Sequence, residues 1–220
     1  MGADNQDEHD LAALRHDYAA GGLDEADLAS DPVTMFQRWF ADAVSGGLHE
    51  PNAMVVSTVS ADGRPSSRTV LLKGIGPDGF RFFTNLGSRK GVDLAGNAHC
   101  ALLFPWHDLE RQVRVEGTAT LISRDDVAAY FASRPRGSQL GAWASSQSTP
   151  VFDRGALEAS YDEAERRFPG EVPVPDGWGG YLVRPEVVEF WQGRTGRLHD
   201  RLVYRRAGAG DTWATQRLAP

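Results

Sequence analysis

The short β-strands that the chain predicts constrain its fold more than any other feature. Apolar and polar residues alternate over short runs, and turn sequences such as Asp62-Gly63 and Gly76-Pro77-Asp78-Gly79 separate them. The pattern predicts strands at residues 53–60, 66–75, 80–84, 100–106, 111–122, 180–183, 187–192 and 197–204, with a further one at 213–218. Strand–helix–strand alternation and a GxGxxG run are both missing, which argues against a Rossmann domain. We therefore expect a mainly β fold with peripheral helices, built as a small β-barrel.

Helices are expected where capping signals meet helical periodicity. Asp31 followed by Pro32 predicts a helix start, and Gly46-Gly47 predicts its end. Ser123 can cap a second helix. That helix spans residues 124–133, and two more are predicted at 11–18 and 152–168. Residues 1–10 are expected to form a disordered acidic tail before a single domain at residues 11–220.

The composition indicates a soluble, cytoplasmic protein. The hydrophobic fraction is 41%, which suffices for a packed core. No apolar run reaches the roughly 18 residues of a membrane-spanning helix, and residues 1–10 are too acidic for a signal peptide. The single cysteine, Cys100, suits a reducing compartment and lies in an apolar run, so we expect it to be buried packing.

The charge distribution argues against two classes of partner. The net charge is −7, and nine acidic residues against Arg15 in the first 31 positions account for it. The rest of the chain is close to neutral, without the basic excess that nucleic-acid binding requires. His99 and His107 are too isolated for recognised metal-ligand spacing, so we expect no metal site.

A cationic strand face is predicted near the C-terminus. Arg197, His199 and Arg201 alternate along the predicted strand and would share one face, whereas Leu198 and Leu202 would point into the core. Such a face can bind an anionic or electron-rich ligand. By pattern alone an ordinary solvated face is the better interpretation, since most surface charges contribute little.

Two further clusters could each bind a phosphate. Around two strand ends and a helix start lie Arg68, Lys73, Arg89 and Lys90. Strict alternation puts Arg68 and Lys73 on opposite faces, so either a bulge intervenes or one of them approaches the ligand from elsewhere. The second cluster has Tyr130 and Arg134 one helical turn apart, with Ser138 in the loop that follows. Scattered surface charge and ordinary helix packing remain the alternatives.

Taken together, these segments resemble the pyridoxine/pyridoxamine 5′-phosphate oxidase family. The match runs in order and at family spacing from about Arg15 to the last residue. The ordered set of stretches is specific, although any one of them alone would be weak. Two of them are Arg68-Thr69-Val70-Leu71-Leu72-Lys73 and Arg197-Leu198-His199-Asp200-Arg201. Further matching stretches are residues 15–18, 50–54, 82–85, 88–90, 103–106, 110–114, 133–136, 141–145, 147–148, 178–181, 189–201 and 217–220.

The resemblance implies an FMN-binding split barrel that acts as a homodimer, with FMN at the subunit interface. It implies cofactor contacts from Arg68, Thr69, Val70, Leu71, Lys73, Phe83, Thr84, Arg89, Lys90, Gln112, Gln147, Ser148, Trp191 and Arg201. Residues implied to bind the substrate are Arg15, Tyr18, Lys73, Tyr130, Arg134, Ser138, Arg197 and His199. Among these, Arg197 and His199 would be catalytic and face the pyridine ring, and Arg15 and Tyr18 match a mobile segment that covers the site. Phe83 is often tyrosine in relatives, so a hydroxyl contact there is lost.

The implied activity is oxidation of pyridoxine 5′-phosphate and pyridoxamine 5′-phosphate to pyridoxal 5′-phosphate. In this family a hydride passes from the substrate to the flavin, and dioxygen is reduced to hydrogen peroxide. The protein would supply orientation and charge. Two alternatives are a related FMN oxidase of the phenazine type and a flavin- or haem-binding split-barrel protein without turnover.

Overall fold

One antiparallel sheet of nine strands carries the fold. The computed structural model describes residues 17–19, 21–206, 208, 210 and 212–220. The strands are β1 (Ala53–Val59), β2 (Pro65–Leu71), β3 (Gly74–Gly76), β4 (Gly79–Asn85), β5 (His99–Trp106), β6 (Arg111–Leu121), β7 (Trp178–Gln192), β8 (Asp200–Arg205) and β9 (Ala214–Arg217). They pair in the order β2-β1-β5-β6-β7-β4-β3, with β8 between β7 and β9. The sheet curls into a half-barrel, and the predicted mainly β class with peripheral helices is confirmed.

The long strand β7 organises the sheet because it pairs with three other strands. Along one edge it pairs with β6. Its other edge is divided, because Trp178 to Val183 pair with β4 and Val187 to Gln192 pair with β8. The register with β6 shifts between Glu116 and Gly117, where a Cβ on Gly117 would lie 2.1 Å from the carbonyl oxygen of Arg184. Only glycine fits this bulge, which bends the sheet.

In the part of the chain that the structure describes, five α-helices surround the sheet. They are α1 (Pro32–Ser45), α2 (Arg89–Gly96), α3 (Arg124–Ser133), α4 (Arg136–Ala144) and α5 (Arg154–Arg167). The predicted start of α1 is confirmed, since the Asp31 carboxylate accepts a hydrogen bond from the Thr34 amide at 2.9 Å. No helix in the described part of the chain is both long and apolar enough to cross a membrane.

The main core lies between α1 and the concave face of the sheet. Phe36 of α1 packs edge-on against Phe80, with ring centroids 5.0 Å apart, and against Phe104 at 4.7 Å. Cys100 is buried in this core, as expected, and burial raises the pKa of its thiol to about 12. A second apolar cluster joins α3, α4 and α5 to the start of β7, with Phe131, Leu140 and Trp178 at its centre. This cluster forms one wall of the site described below.

Several predicted boundaries were wrong. The strand predicted at 66–75 is broken into β2 and β3, and the two strands predicted at 180–183 and 187–192 are one strand, β7. The strand predicted at 197–204 starts only at Asp200, and α4 was not predicted. The tail at 1–10, Arg15 and most of the helix predicted at 11–18 lie outside the described residues. Of that helix, Asp17 and Tyr18 are described and are not helical.

Candidate functional site

A cavity of about 790 Å³ opens at the edge of the sheet between β2, β4, α2 and the α3–α4 helices. Its lining consists of Ser66, Ser67, Arg68, Thr69, Val70, Leu71, Lys73, Phe83, Thr84, Asn85, Arg89, Lys90, Tyr130, Arg134, Ser138, Gly141, Ala142, Ser145, Gln147, Ser148 and Trp178. Five of these residues are arginine or lysine, and none of the described lining residues is acidic. We call these five, Arg68, Lys73, Arg89, Lys90 and Arg134, the cavity cations. Such a wall is suited to an anionic ligand.

The first turn of α2 brings two of the cavity cations to the end of β4. Ser88 caps the helix, and its hydroxyl donates a hydrogen bond to the carbonyl oxygen of Asn85 at 2.6 Å. A Cβ on Gly91 would lie 2.2 Å from the carbonyl oxygen of Leu86, so glycine is needed for this close approach. Arg89 and Lys90 therefore sit at a helix N-terminus, where the backbone amides and the helix dipole also favour an anion.

Lys90 is a buried cation whose partners are all neutral. Its ammonium donates to Thr84 Oγ1 at 2.9 Å, to Gln147 Oε1 at 3.0 Å and to Ser88 Oγ at 3.3 Å. Burial lowers the pKa of Lys90 to about 8, and the positive charge of Arg68 lowers it further in the same direction. A buried charge without a counter-ion is costly, so an anion bound beside Lys90 would be strongly favoured.

Arg68 and Lys73 both reach the cavity, although strict alternation along one strand would put them on opposite faces. The guanidinium of Arg68 donates to the carbonyl oxygen of Val56 at 3.1 Å and to Thr58 Oγ1 at 2.8 Å. Because β2 ends at Leu71 and β3 starts at Gly74, Lys73 lies in the break between strands. Strict alternation does not extend to Lys73, and both side chains line the cavity. Burial lowers the pKa of Arg68, while the carboxylate of Asp93, 3.9 Å away, opposes this shift.

The opposite wall of the cavity combines aromatic rings with Arg134. Phe83 stacks on Tyr130 with ring centroids 4.0 Å apart, and on Trp178 at 5.5 Å. The guanidinium carbon of Arg134 lies 4.8 Å from the centre of the Trp178 ring. Its Nη1 atom is buried and has no hydrogen-bond partner among the described residues. Ser138 lies in the first turn of α4, so its predicted place in a loop was wrong.

The C-terminal strand face was predicted wrongly. Residues Thr195–Arg197 form a 3₁₀ turn before β8 begins, and Arg197 has a φ of 62°, in the left-handed region. Arg197, His199 and Arg201 therefore do not share the face of one strand. Leu198, expected in the core, is 74% exposed, whereas Leu202 is buried as predicted. The paired positive φ angles at Gly196 and Arg197 end the alternation.

Three predicted cofactor residues form a row across neighbouring strands, away from the cavity. Gln112 on β6 lies opposite Trp191 on β7, which lies opposite Arg201 on β8. Beside the row, His199 packs against Trp191 with ring centroids 4.6 Å apart, and Tyr18 contacts both rings edge-on. Nδ1 of His199 accepts a hydrogen bond from the Arg194 amide at 3.1 Å. Neither this row nor Arg197 is among the described residues that line the cavity.

The structure thus divides the predicted site residues between two places. Eleven of the fourteen predicted cofactor residues line the cavity, together with Lys73, Tyr130, Arg134 and Ser138 of the predicted substrate residues. Trp178, Asn85 and Ser145 also line it and were not predicted as site residues. For Trp178 the only sequence signal was its place in a matching family segment, because a lone tryptophan is more often core than site.

Comparison with known proteins finds similarity over nearly the whole chain. Residues 40–168 match a family model described as pyridoxamine 5′-phosphate oxidase, and residues 178–220 match one described as a pyridoxine 5′-phosphate oxidase C-terminal dimerisation region. A pyridoxine/pyridoxamine 5′-phosphate oxidase of Nocardioides sp. is 65% identical over 96% of this chain and 98% of its own length. The same-named protein of Rubrobacter xylanophilus is 58% identical over 96% and 97%.

Two solved structures are similar as well. PhzG from Burkholderia lata 383, in complex with tetrahydrophenazine-1-carboxylic acid, has a TM-score of 0.85 and 32% identity, over 91% of this chain and 99% of its own. A pyridoxamine 5′-phosphate oxidase-related, FMN binding protein from Nostoc punctiforme has a TM-score of 0.70 and 20% identity, over 88% and 100%. The second likeness supports the predicted split-barrel fold alone.

Proposed function

The chain belongs to the pyridoxamine 5′-phosphate oxidase family, and on that premise we propose that it oxidises pyridoxine 5′-phosphate and pyridoxamine 5′-phosphate to pyridoxal 5′-phosphate, with FMN as cofactor and dioxygen as electron acceptor. The observation that carries the proposal is the cavity wall of five cations without an acidic residue. Both the cofactor and the substrate bear a phosphate, and such a wall offers each of them charge-assisted hydrogen bonds. The lone buried cysteine fits our assignment to the cytoplasm.

The residues of the cavity fit FMN. Lys90 is buried among neutral oxygens, Arg89 precedes it at the start of α2, and Arg68 of β2 adds a further positive charge nearby, so the FMN phosphate would supply the missing anion. The backbone and side chains of residues 69–71, 83–84 and 147–148 would contact the rest of the cofactor. FMN would supply the hydride-accepting chemistry, for which side chains have no equivalent.

The substrate phosphate would bind on the opposite wall. Tyr130, Arg134 and Ser138 line the cavity on the α3–α4 side and Lys73 lines it from the break between β2 and β3, while Arg134 Nη1 has no protein partner among the described residues. Burial raises the pKa of Tyr130, which keeps its phenol a hydrogen-bond donor. A phosphate between these donors would satisfy the buried nitrogen that otherwise costs free energy.

Arg197 and His199 would face the pyridine ring of the substrate. Because His199 Nδ1 accepts a hydrogen bond from the Arg194 amide, the neutral ring carries its proton on Nε2. That N–H can donate to the ring substituents of the substrate, while the charge of Arg197 would stabilise negative charge that develops on the ring. Arg15 and Tyr18 would cover the substrate from the N-terminal side.

A homodimer would complete the site. The match to a C-terminal dimerisation region supports the dimer. The row Gln112, Trp191 and Arg201 lies away from the cavity of its own protomer. We assign this row, with Arg197 and His199, to the FMN site of the partner subunit, so that each site uses both copies.

Two observations favour this function over a phenazine-type oxidase. The relatives named pyridoxine/pyridoxamine 5′-phosphate oxidase reach 65% identity, whereas identity to the phenazine-associated structure is 32%. In addition, Tyr130, Arg134 and Ser138 meet in the same cavity as Lys90, which gives the site a second place for phosphate. That second place also argues against a carrier without turnover.

The test is to purify the protein, record its flavin spectrum and identify the cofactor that denaturation releases. Each phosphorylated vitamer is then supplied in air, and aldehyde and hydrogen peroxide are both measured. We expect FMN rather than FAD, and equal amounts of the two products. A protein that binds no flavin, or that oxidises neither vitamer when loaded with FMN, would contradict the proposal.

A further inference from the structure

The guanidinium of Arg134 is held in place without a counter-ion. Among the described residues no carboxylate lies within ion-pairing distance of it, and its Nη1 has no hydrogen-bond partner. The ring of Trp178 lies 4.8 Å from its guanidinium carbon and that of Phe131 lies 5.4 Å away. Both distances are within the range of cation–π attraction.

Trp178 belongs to three nearly parallel rings, which we call the aromatic platform: Tyr130, Phe83 and Trp178. The interplanar angles are 15° between Phe83 and Tyr130, 7° between Phe83 and Trp178, and 9° between Tyr130 and Trp178. The platform connects Tyr130 and Arg134, both of which are candidates for binding the substrate phosphate. Tyr130 is one of its rings, and Arg134 contacts the ring of Trp178. Trp178 itself is 6% exposed, so the packing of the second core holds it in place.

We propose that Trp178 is a positioning residue that orients Arg134 toward the substrate phosphate and thereby gives the enzyme its preference for phosphorylated vitamers. The inference rests on the proposed function. A carboxylate in the place of Trp178 would use the in-plane N–H groups of the guanidinium and neutralise its charge. A ring face attracts the same cation from above its plane and leaves both the charge and the N–H groups available to the ligand.

Two substitutions separate the ring face from simple packing. Trp178→Met keeps an apolar side chain that can fill the space but removes the π face, whereas Trp178→Phe keeps a smaller face. In the FMN-loaded enzyme we expect Trp178→Met to raise the KM for pyridoxamine 5′-phosphate about tenfold with kcat changed by less than about twofold. Trp178→Phe is expected to stay within about threefold of the original KM. The kcat/KM for unphosphorylated pyridoxamine should be unchanged in both variants.

Trp143→Met is the matched control. Trp143 packs on the same second core and also faces an arginine, with the Arg167 guanidinium carbon 4.9 Å from its ring, but it does not line the cavity. Its replacement should leave the KM for the phosphorylated substrate unchanged. If Trp178→Met does not fold, Trp178→Leu removes the same π face and should raise the same KM.

An equilibrium measurement separates this inference from the proposed function. Binding of pyridoxal 5′-phosphate to each variant is followed by its absorbance, without turnover. If the original protein binds it and Trp178→Met binds it about tenfold more weakly, the positioning role stands even if no vitamer is oxidised. Equal losses for phosphorylated and unphosphorylated ligands, or the same loss in Trp143→Met, would overturn the role of Trp178.

Discussion

Two arginine-rich regions of the molecule differ in the partners of their positive charges. The cavity cations have mainly neutral partners, as Lys90 and Arg134 show. In the C-terminal cluster, which we define as Arg114, Arg201 and Arg217 with Glu189 and Asp200, each arginine is paired with a carboxylate. Arg201 donates to both oxygens of Glu189, at 2.8 and 3.1 Å, and Arg217 donates to Asp200 at 2.6 Å.

The comparison shows that the number of arginines in a segment does not identify an anion site. Of the cationic face that the sequence predicted, Arg201 belongs to the C-terminal cluster, where Glu189 largely neutralises its charge. In the FMN site to which we assign it, Arg201 would therefore add little net positive charge. In the cavity the charges remain available, and the fold holds them there through burial, a helix N-terminus and aromatic rings. A missing counter-ion is therefore the stronger sign of function, because an unpaired buried charge costs free energy that a ligand can recover.

The largest effect should follow from breaking the C-terminal cluster at Glu189. Its side chain is 3% exposed and bridges Arg201 and Arg114, at 2.8 and 2.9 Å. Glu189→Gln leaves both guanidinium groups without this carboxylate, and we expect a loss of about 3 kcal/mol in the free energy of unfolding. Urea denaturation at a fixed protein concentration measures it.

The exposed pair Arg166–Glu163, 2.8 Å apart, provides the control for that measurement. Glu163→Gln should change the free energy of unfolding by less than about 0.5 kcal/mol. If the two substitutions had equally small effects, the C-terminal cluster would not be the structural element that we describe.

In the cavity, Lys90→Met should act on ligand binding instead. It removes a buried cation and the hydrogen bonds that it makes, so the Kd of the cofactor-free protein for FMN should rise roughly 10- to 100-fold. Quenching of flavin fluorescence measures this affinity. Stability should fall little or even rise, since a desolvated charge has been removed. Arg166→Met, at an exposed position, serves as control, and an unchanged Kd in Lys90→Met would contradict the role of Lys90.

The pKa of Lys90 predicts a pH dependence of the same affinity. Because burial lowers this pKa to about 8 in the free protein, the cation is present at pH 7 and is lost as the pH rises through 8. FMN affinity should be flat near pH 7 and fall by up to about tenfold per pH unit above 8. The FMN phosphate is mostly dianionic at pH 7 and almost entirely so above pH 8, since its second pKa is about 6.

The contribution of Lys90 to stability has the opposite sign. Its pKa is lower in the folded than in the unfolded chain, so the unfolded chain binds more protons between pH 8 and 10.5. The free energy of unfolding of the cofactor-free protein should therefore gain from Lys90 as the pH rises through that interval. The slope in FMN affinity should vanish in Lys90→Met. The contribution of Lys90 to stability is the difference between the two proteins, because the raised pKa of the Cys100 thiol gives both of them a slope of the opposite sign above pH 9. A slope in FMN affinity that persisted in Lys90→Met would have to come from another group.

Sequence signals between neighbouring residues predicted much of the fold. They failed for elements whose position depends on contacts between residues far apart in the chain. The start of α1 was predictable because Asp31 caps it through a neighbour three residues away. In contrast, α4 has two internal glycines and no side-chain cap, and Arg136 and Leu140 stabilise it through distant contacts, with residues 168–170 and the second core. Two strands were predicted where β7 is continuous, because its pairing with β6 across the register shift at Glu116 and Gly117 joins segments that are far apart in the chain.

The sequence predicted many of the residues that line the cavity but not how they are arranged. Clusters of cations in the sequence identified the cavity cations, and the resemblance gave them roles. Alternation along a strand placed Arg197 and Leu198 wrongly, because two left-handed residues precede β8. Trp178 could not be assigned a role from sequence, since its contacts with Phe83 and Arg134 join segments that are far apart in the chain. Pairing across strands likewise decides that Gln112, Trp191 and Arg201 form one row.

The smallest effect is expected at Arg217, on the exposed side of the C-terminal cluster. It donates to Glu25 at 2.9 Å and to the carbonyl oxygen of Leu23 at 3.1 Å, and thereby holds residues 23–25 against β9. The carboxylates of Glu25 and Asp24 are largely exposed, so solvent screens the pairs. We expect Arg217→Met to lower the free energy of unfolding by about 1 kcal/mol at low salt and by less at 1 M salt.

The loss of stability in Glu189→Gln should persist at 1 M salt, because that carboxylate is buried. If the two variants depended equally on salt, the distinction between the exposed and buried halves of the C-terminal cluster would be wrong.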